Sequence, residues 1–157
     1  MAKLQADLKE FIELLNSQNV EYLVVGGHAV AFHGHPRFTG DIDFLIRTTP
    51  ENTQRVLRVL DEFGFGELGI SEADLLDAGH IVQLGHPPNR IELLTSISGV
   101  DFESAWESRV ETTMGDQPVT MIGWDDLVRN KRAAGRQKDL ADVEKLLAVA
   151  KRKNGAG

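Results

Sequence analysis

Leu4, Leu8, Phe11, Ile12 and Leu15 recur three or four residues apart, a spacing that predicts an amphipathic helix over residues 4–15, suited to covering a sheet. Glu21-Tyr-Leu-Val-Val25 is a short apolar run closed by Gly26-Gly27, which reads as a buried strand entering a tight turn, with a short helix over His28 to His33. After the loop Gly34 to Gly40, the run Asp41-Ile-Asp-Phe-Leu-Ile46 has period two, so Asp41 and Asp43 share one face of a strand. Thr49 as N-cap and Pro50 at the first helical position open a helix whose inner face is Val56, Leu57, Leu60 and Phe63, and Gly64 ends it. Ser71 caps a one-turn helix to about Asp77. His80 to Leu84 and Arg90 to Thr95 read as two strands of a hairpin joined through Gly85-His-Pro-Pro-Asn89. A helix around Asp101 to Trp106 precedes weaker strands at Arg109 to Thr113 and Val119 to Ile122, split by Gly115-Asp-Gln-Pro118. Two helices close the pattern, Trp124 to Ala134 and Gln137 to Ala150, hinged at Gly135.

This order predicts an α+β fold: a small mixed sheet covered by helices on one face, followed by C-terminal helices. A chain of 157 residues fits one compact domain, expected over residues 1–150, with polar 151–157 as a flexible tail. No apolar run approaches the ~20 residues of a spanning helix, and the start carries acidic residues where a signal peptide would be apolar, so a cytoplasmic protein without a membrane partner is expected. Zero cysteines remove disulfides, thiolate metal sites and a cysteine nucleophile, leaving carboxylates, histidines, lysines and hydroxyls. The net charge of −7 argues against a broad, sequence-independent grip on nucleic acid and leaves room only for a local basic patch.

Two carboxylates one residue apart on a strand flanked by Ile42, Phe44, Leu45 and Ile46 cost several kcal/mol to bury without a partner, and a bound dication is the simplest partner. Oxygen ligands suit Mg2+ or Mn2+, and Mg2+ is commonly shared between one or two carboxylates and substrate phosphates, which predicts a phosphate-bearing substrate. Arg90-Ile-Glu-Leu-Leu94 places Glu92 alone among apolar neighbours on another strand, where it meets the pair if the strands adjoin. Three carboxylates can then serve two metal ions in an in-line displacement, with Asp41, Asp43 and Glu92 as metal ligands and catalytic residues. Gly26-Gly27 between strand and helix lets backbone approach a phosphate closely, or forms only a tight turn. Ordinary salt bridges for the two aspartates and pairing of Glu92 with Arg90 are the plainer alternatives.

The stretch Val24 to Phe44, with its glycine pair, short helix and Asp41-x-Asp43 strand, joined by Glu92, resembles the nucleotide-binding core of the DNA polymerase beta-like nucleotidyltransferase superfamily. Arg37-Phe-Thr-Gly-Asp-Ile-Asp43 and Asp126 to Asp142 are closer still to the minimal, abortive-infection toxin-like nucleotidyltransferases of toxin–antitoxin systems. That resemblance spans about residues 20–150. It implies transfer of a nucleoside monophosphate from a triphosphate to an acceptor with release of pyrophosphate, the acceptor being a transfer RNA end or a protein hydroxyl, and it implies a cognate antitoxin. It also implies that Lys131 and Lys138 contact the triphosphate, while Asp139 or Asp142 orients those cations or assists the attacking group. Many superfamily members carry serine where this chain has Gly27, so a hydroxyl contact to phosphate is missing.

Lys131, Arg132, Arg136 and Lys138 do concentrate positive charge in an acidic chain, as a triphosphate needs, although a solvated basic face with Lys138 and Asp142 as an i,i+4 pair fits the same spacing. Arg37 and Thr39 flank the acidic strand within reach of a phosphate. His28, His33 and His35 crowd one segment and offer a rival imidazole metal site, but helical spacing separates His28 from His33 and no His-Glu-x-x-His motif is present. Two further functions stand beside the toxin-like enzyme: a non-catalytic regulator that binds nucleotide or a partner, and a small-molecule transferase of the antibiotic-modifying kind, which calls for an acidic pocket. The position of Glu92 separates the regulator from the enzyme.

Overall fold

A computed structural model describes residues 6–34, 40–85 and 90–156. The first helix, α1 (Ala6–Ser17), leads to β1 (Tyr22–Val25), α2 (Gly26–Phe32), β2 (Asp41–Ile46) and α3 (Pro50–Glu62). A short 3-10 turn at 66–68 and α4 (Glu72–Leu76) precede the hairpin β3 (Ile81–Leu84) and β4 (Arg90–Leu94). Next come α5 (Phe102–Glu107), a second hairpin β5 (Val110–Met114) and β6 (Gln117–Met121), and the helices α6 (Trp124–Ala134) and α7 (Gln137–Ala156). The strands form one mixed sheet in the order β3-β4-β2-β1-β6-β5. β1 is antiparallel to β2 and parallel to β6, while β2 is parallel to β4.

Alternation sorts the two faces. Ile42, Phe44 and Ile46 of β2 register with Tyr22 and Val24 of β1 on one side and with Ile91 and Leu93 of β4 on the other, giving an apolar face. α1 and the end of α3 cover it, and the Phe11 ring lies 5.7 Å from Phe44 and 5.1 Å from Phe63. Full burial of each such side chain contributes about 1.5–3 kcal/mol, so this layer fixes the register of β2. The opposite face of β2 therefore has to present Asp41 and Asp43.

Local signals explain the ends. Thr49 Oγ1 accepts from the Asn52 amide at 3.3 Å, capping α3 ahead of Pro50, and Ser71 forms a capping box with Asp74. Buried Asn52 ties α3 to the strands: its Oδ1 accepts from the Glu21 amide, and its Nδ2 donates to the carbonyls of Glu21 and Arg47. Most ends fall within a residue or two of the sequence expectation, and three differences carry a physical reason. α2 begins at Gly26 rather than His28, so both glycines belong to its first turn. β6 takes in Gln117 and Pro118, which the sequence assigns to a turn. β1 meets β6 only at Val24–Met121, so the missing amide of Pro118 disturbs no ladder on that side, and its carbonyl accepts from Asn16 Nδ2 at 2.8 Å. α7 continues through Ala156 rather than stopping at 150, its last turn carrying Lys153, a charge that suits the negative end of a helix.

Candidate active site

Parallel pairing of β2 with β4 sets Asp41 beside Arg90 and Asp43 beside Glu92, while antiparallel β3 sets Gln83 beside Glu92. The exposed face of three adjacent strands thus carries a row Asp43–Glu92–Gln83, with Asp41 and Arg90 one step along. Gln83 Nε2 donates to Glu92 Oε1 at 3.0 Å. Arg90 donates from one terminal nitrogen to Asp41 Oδ2 at 2.8 Å, and its Nε stands 3.4 Å from Glu92 Oε1. The Asp43 carboxyl is pushed up to about 7, first by burial, then by its hydrogen bond to Glu92 and the charges of Glu92 and Asp41, with Lys131 opposing the shift. Asp43 therefore holds its proton to near neutrality, and its Oδ1 is buried with no hydrogen-bond partner among the described residues.

Gly26 is fixed by this carboxylate. Its φ is +70°, and a β-carbon there would stand 2.1 Å from Asp43 Oδ2, so only glycine lets β1 pass into α2 against the acidic row. Across the cleft, α6 ends at Gly135 in the left-handed region and α7 turns back. Lys131 Nζ reaches Asp139 Oδ1 and Asp142 Oδ2, each at 3.3 Å, with all three residues almost wholly buried (6%, 0% and 1% exposed). Asp139 also accepts from Arg136 Nε at 2.6 Å. The cleft between the acidic row and this corner has a volume of about 490 Å³. Its charged lining is balanced, with Asp41, Asp43 and Asp139 against Lys131, Arg136 and Lys138. Its uncharged wall includes Ile81, Leu94, Ile97, Ser96, Ser98 and Asn130.

The structure therefore brings together Asp41, Asp43 and Glu92 on one face, with Gly26 and Gly27 at the same cleft and Lys131 and Lys138 on its far side. Arg37 and Thr39 lie outside the described residues, as does His35. Lys138 is exposed, whereas Lys131 is engaged by both Asp139 and Asp142, either of which the resemblance set to orient the lysines. His33 Nε2 lies 2.8 Å from the Ile122 carbonyl, which occupies that nitrogen. Sequence reasoning missed Gln83, Ser96, Ser98 and Asn130; only strand register and the packing of the 96–98 turn against α6 place them here, Asn130 Nδ2 donating to the Ser98 carbonyl at 2.9 Å. Arg90 carried a signal, its i,i+2 relation to Glu92, that reads equally as a routine ion pair.

The donors suit an oxygen-seeking dication in kind: three carboxylates on one face of the sheet, of which Asp41 and Asp43 line the cleft and Asp43 has an orphaned buried oxygen. Their present placement is organised around Arg90. Among the described residues no three His, Asp or Glu side chains are arranged to hold a metal ion as they stand.

The architecture is that of the nucleotidyltransferases. The antibiotic adenylyltransferase ANT(2″)-Ia, solved with adenylyl-2″-tobramycin, superposes with a TM-score of 0.58 at 15% identity, covering 91% of this chain and 87% of that one. The lincosamide adenylyltransferase LnuA, solved with lincomycin, gives 0.55 at 16% identity over 93% of this chain and 98% of that one. An antigenic nucleotidyltransferase-like protein from Paracoccidioides brasiliensis gives 0.53 at 20% identity over 94% and 79%. The chain belongs to the family described as nucleotidyltransferase of unknown function (DUF6036), whose model matches residues 2–152. No curated protein matches it.

Proposed function

We propose that this protein is a Mg2+- or Mn2+-dependent nucleotidyltransferase that moves a nucleoside monophosphate from a triphosphate to an acceptor hydroxyl. The observation that carries this reading is the register of β4 against β2, which seats Glu92 directly beside Asp43. Had Glu92 pointed away from the pair, a non-catalytic regulator would have gained. Asp41, Asp43 and Glu92 would hold the metal, which when bound neutralises phosphate charge and acidifies the acceptor hydroxyl. Gly26 and Gly27 leave backbone bare at the cleft for close approach of phosphate, and Lys138 and Arg136 offset its charge. Lys131, held by Asp139 and Asp142, supports that corner and faces Asp43 through the cleft.

In the reaction the acceptor oxygen bonds to the α-phosphorus and the bond from that phosphorus to the oxygen bridging to the β-phosphate breaks. Pyrophosphate leaves with the electron pair, and the hydroxyl proton is drawn toward the acidic row, where burial raises the proton affinity of Asp43 toward that of a base working near neutrality. For the acceptor, a transfer RNA end or a protein hydroxyl agrees with the likeness of Arg37–Asp43 and Asp126–Asp142 to the toxin-like group, which also supports a cognate antitoxin. The structural neighbours favour a second reading, a small-molecule acceptor. Against a cationic one stands the balanced charge of the cleft, since a polycationic substrate calls for an acidic pocket.

The test is incubation with Mg2+ and each of four radiolabelled triphosphates, with and without total transfer RNA. Label transfer is expected in the wild type, lost in an Asp41→Ala, Asp43→Ala variant and lost on addition of EDTA. A well-folded protein that transfers no label to itself, to RNA or to water under any of these conditions would contradict the enzyme reading.

A further inference from the structure

We propose that Arg90 is a built-in counter-cation of the acidic row: its guanidinium takes the place between Asp41 and Glu92 that a divalent cation takes in the loaded site, so metal entry displaces it. The inference rests on the reading of Asp41, Asp43 and Glu92 as metal ligands. Asp41 and Glu92 lie diagonally across neighbouring strands, and one guanidinium reaches both, at 2.8 Å and 3.4 Å. It therefore occupies the gap that a cation shared by those two carboxylates would need. This accounts for the absence, among the described residues, of a ready cage in a row that has the donors for one.

The two contacts differ in kind. That to Asp41 is a directed hydrogen bond, whereas Nε facing Glu92 makes no hydrogen bond and holds it by charge alone. Such a grip opposes repulsion among the carboxylates without locking the side chain. At 27% side-chain exposure Arg90 has solvent into which to withdraw. Its charge cannot be removed by proton loss at any working pH, so only another cation can replace it. A doubly charged ion at oxygen-ligand distance interacts with the carboxylates more strongly than one delocalised positive charge, which gives the exchange its direction. Arg90 is thus a positioning residue that keeps the row intact when metal is absent and competes with metal when it is present.

Direct Mn2+ titration of the metal-stripped full chain, without nucleotide and with free Mn2+ followed by electron paramagnetic resonance, tests this independently of turnover. Arg90→Gln is expected to bind Mn2+ about tenfold more tightly than the wild type. The same variant should melt below the wild type in EDTA, with the gap closing at saturating Mn2+. Arg90→Lys, which keeps a cation but cannot fork between two carboxylates, serves if the glutamine variant does not fold, and is expected to bind Mn2+ a few-fold more tightly than the wild type. Unchanged or weaker Mn2+ affinity in the folded Arg90 variants overturns the proposal and leaves Arg90 a structural ion pair. An Asp43→Asn control separates the premise: if it binds Mn2+ as the wild type does, the metal-site reading itself fails and takes the proposal with it.

Discussion

Asp43 makes the chemistry of the site measurable in the free protein. Its folded-state carboxyl is raised to about 7 from an ordinary value of 3.8, so the folded chain binds a proton that the unfolded chain releases across that interval. The corresponding stability is fully present below about pH 4 and is lost as pH rises through 7. In EDTA, the midpoint of thermal unfolding should therefore carry a falling contribution between about pH 4 and 7 that Asp43→Asn removes, the variant gaining on the order of 1–2 kcal/mol over wild type at pH 8 after allowance for solvent screening. Metal binding to the deprotonated row would flatten the same slope in the wild type. Gly26 is the second residue with a sharp expectation. Gly26→Ala places a methyl 2.1 Å from Asp43 Oδ2 at φ +70°, so unfolding should become easier by at least about 1–3 kcal/mol, and any label transfer should be lost with the displaced carboxylate.

The corner between α6 and α7 distinguishes two lysines that look alike in the sequence. Lys131 faces two buried carboxylates, and Lys131→Met should leave Asp139 to Arg136 and remove the buried cation beside Asp142, lowering stability by about 1–3 kcal/mol in denaturant titration. Lys138 is exposed at the cleft and should behave in the opposite manner. Lys138→Ala is expected to leave the unfolding midpoint within about 0.5 kcal/mol of wild type while raising KM for the triphosphate. The helix α3 shows how an element is set from both ends: Thr49 and Pro50 start it locally, but Asn52 anchors it to β1 and β2 through three hydrogen bonds that no helical pattern announces.

At the scale of the molecule, one apolar layer orders the site. Phe44 packs under Phe11 and beside Tyr22, and its position on β2 forces Asp43 onto the other face. Phe44→Ala should destabilise the chain by about 3–5 kcal/mol and, in the fraction that remains folded, loosen the register of the acidic strand, seen as weakened Mn2+ binding alongside a lower melting midpoint. The described residues contain no helix long and apolar enough to cross a membrane, in keeping with the absence of long apolar runs.

Periodicity by itself determined most of the elements. The period-two run at 41–46, the 3.6-residue stripe of α1 and the Thr49-Pro50 and Ser71 caps are encoded within a few residues, because alternation and capping are contacts between near neighbours. The boundaries it missed involve distant partners: Pro118 joins β6 where β1 meets that strand only near its far end, and at the start of α2 Asp43 leaves no room for a β-carbon on Gly26. The acidic pair was likewise legible, since two carboxylates on one face of an apolar strand are costly without a partner. Glu92 as their neighbour, and Asp139 or Asp142 as partner of Lys131, were expectations that held only if distant elements adjoined. That Glu92 lands beside Asp43, that Arg90 bridges Asp41 and Glu92, and that Lys131 is enclosed by Asp139 and Asp142 were decided by parallel pairing of β2 with β4 and by the turn at Gly135. Strand register and helix docking are long-range choices made by the whole core, and a one-residue slip in strand register would reverse which side chains face the cleft.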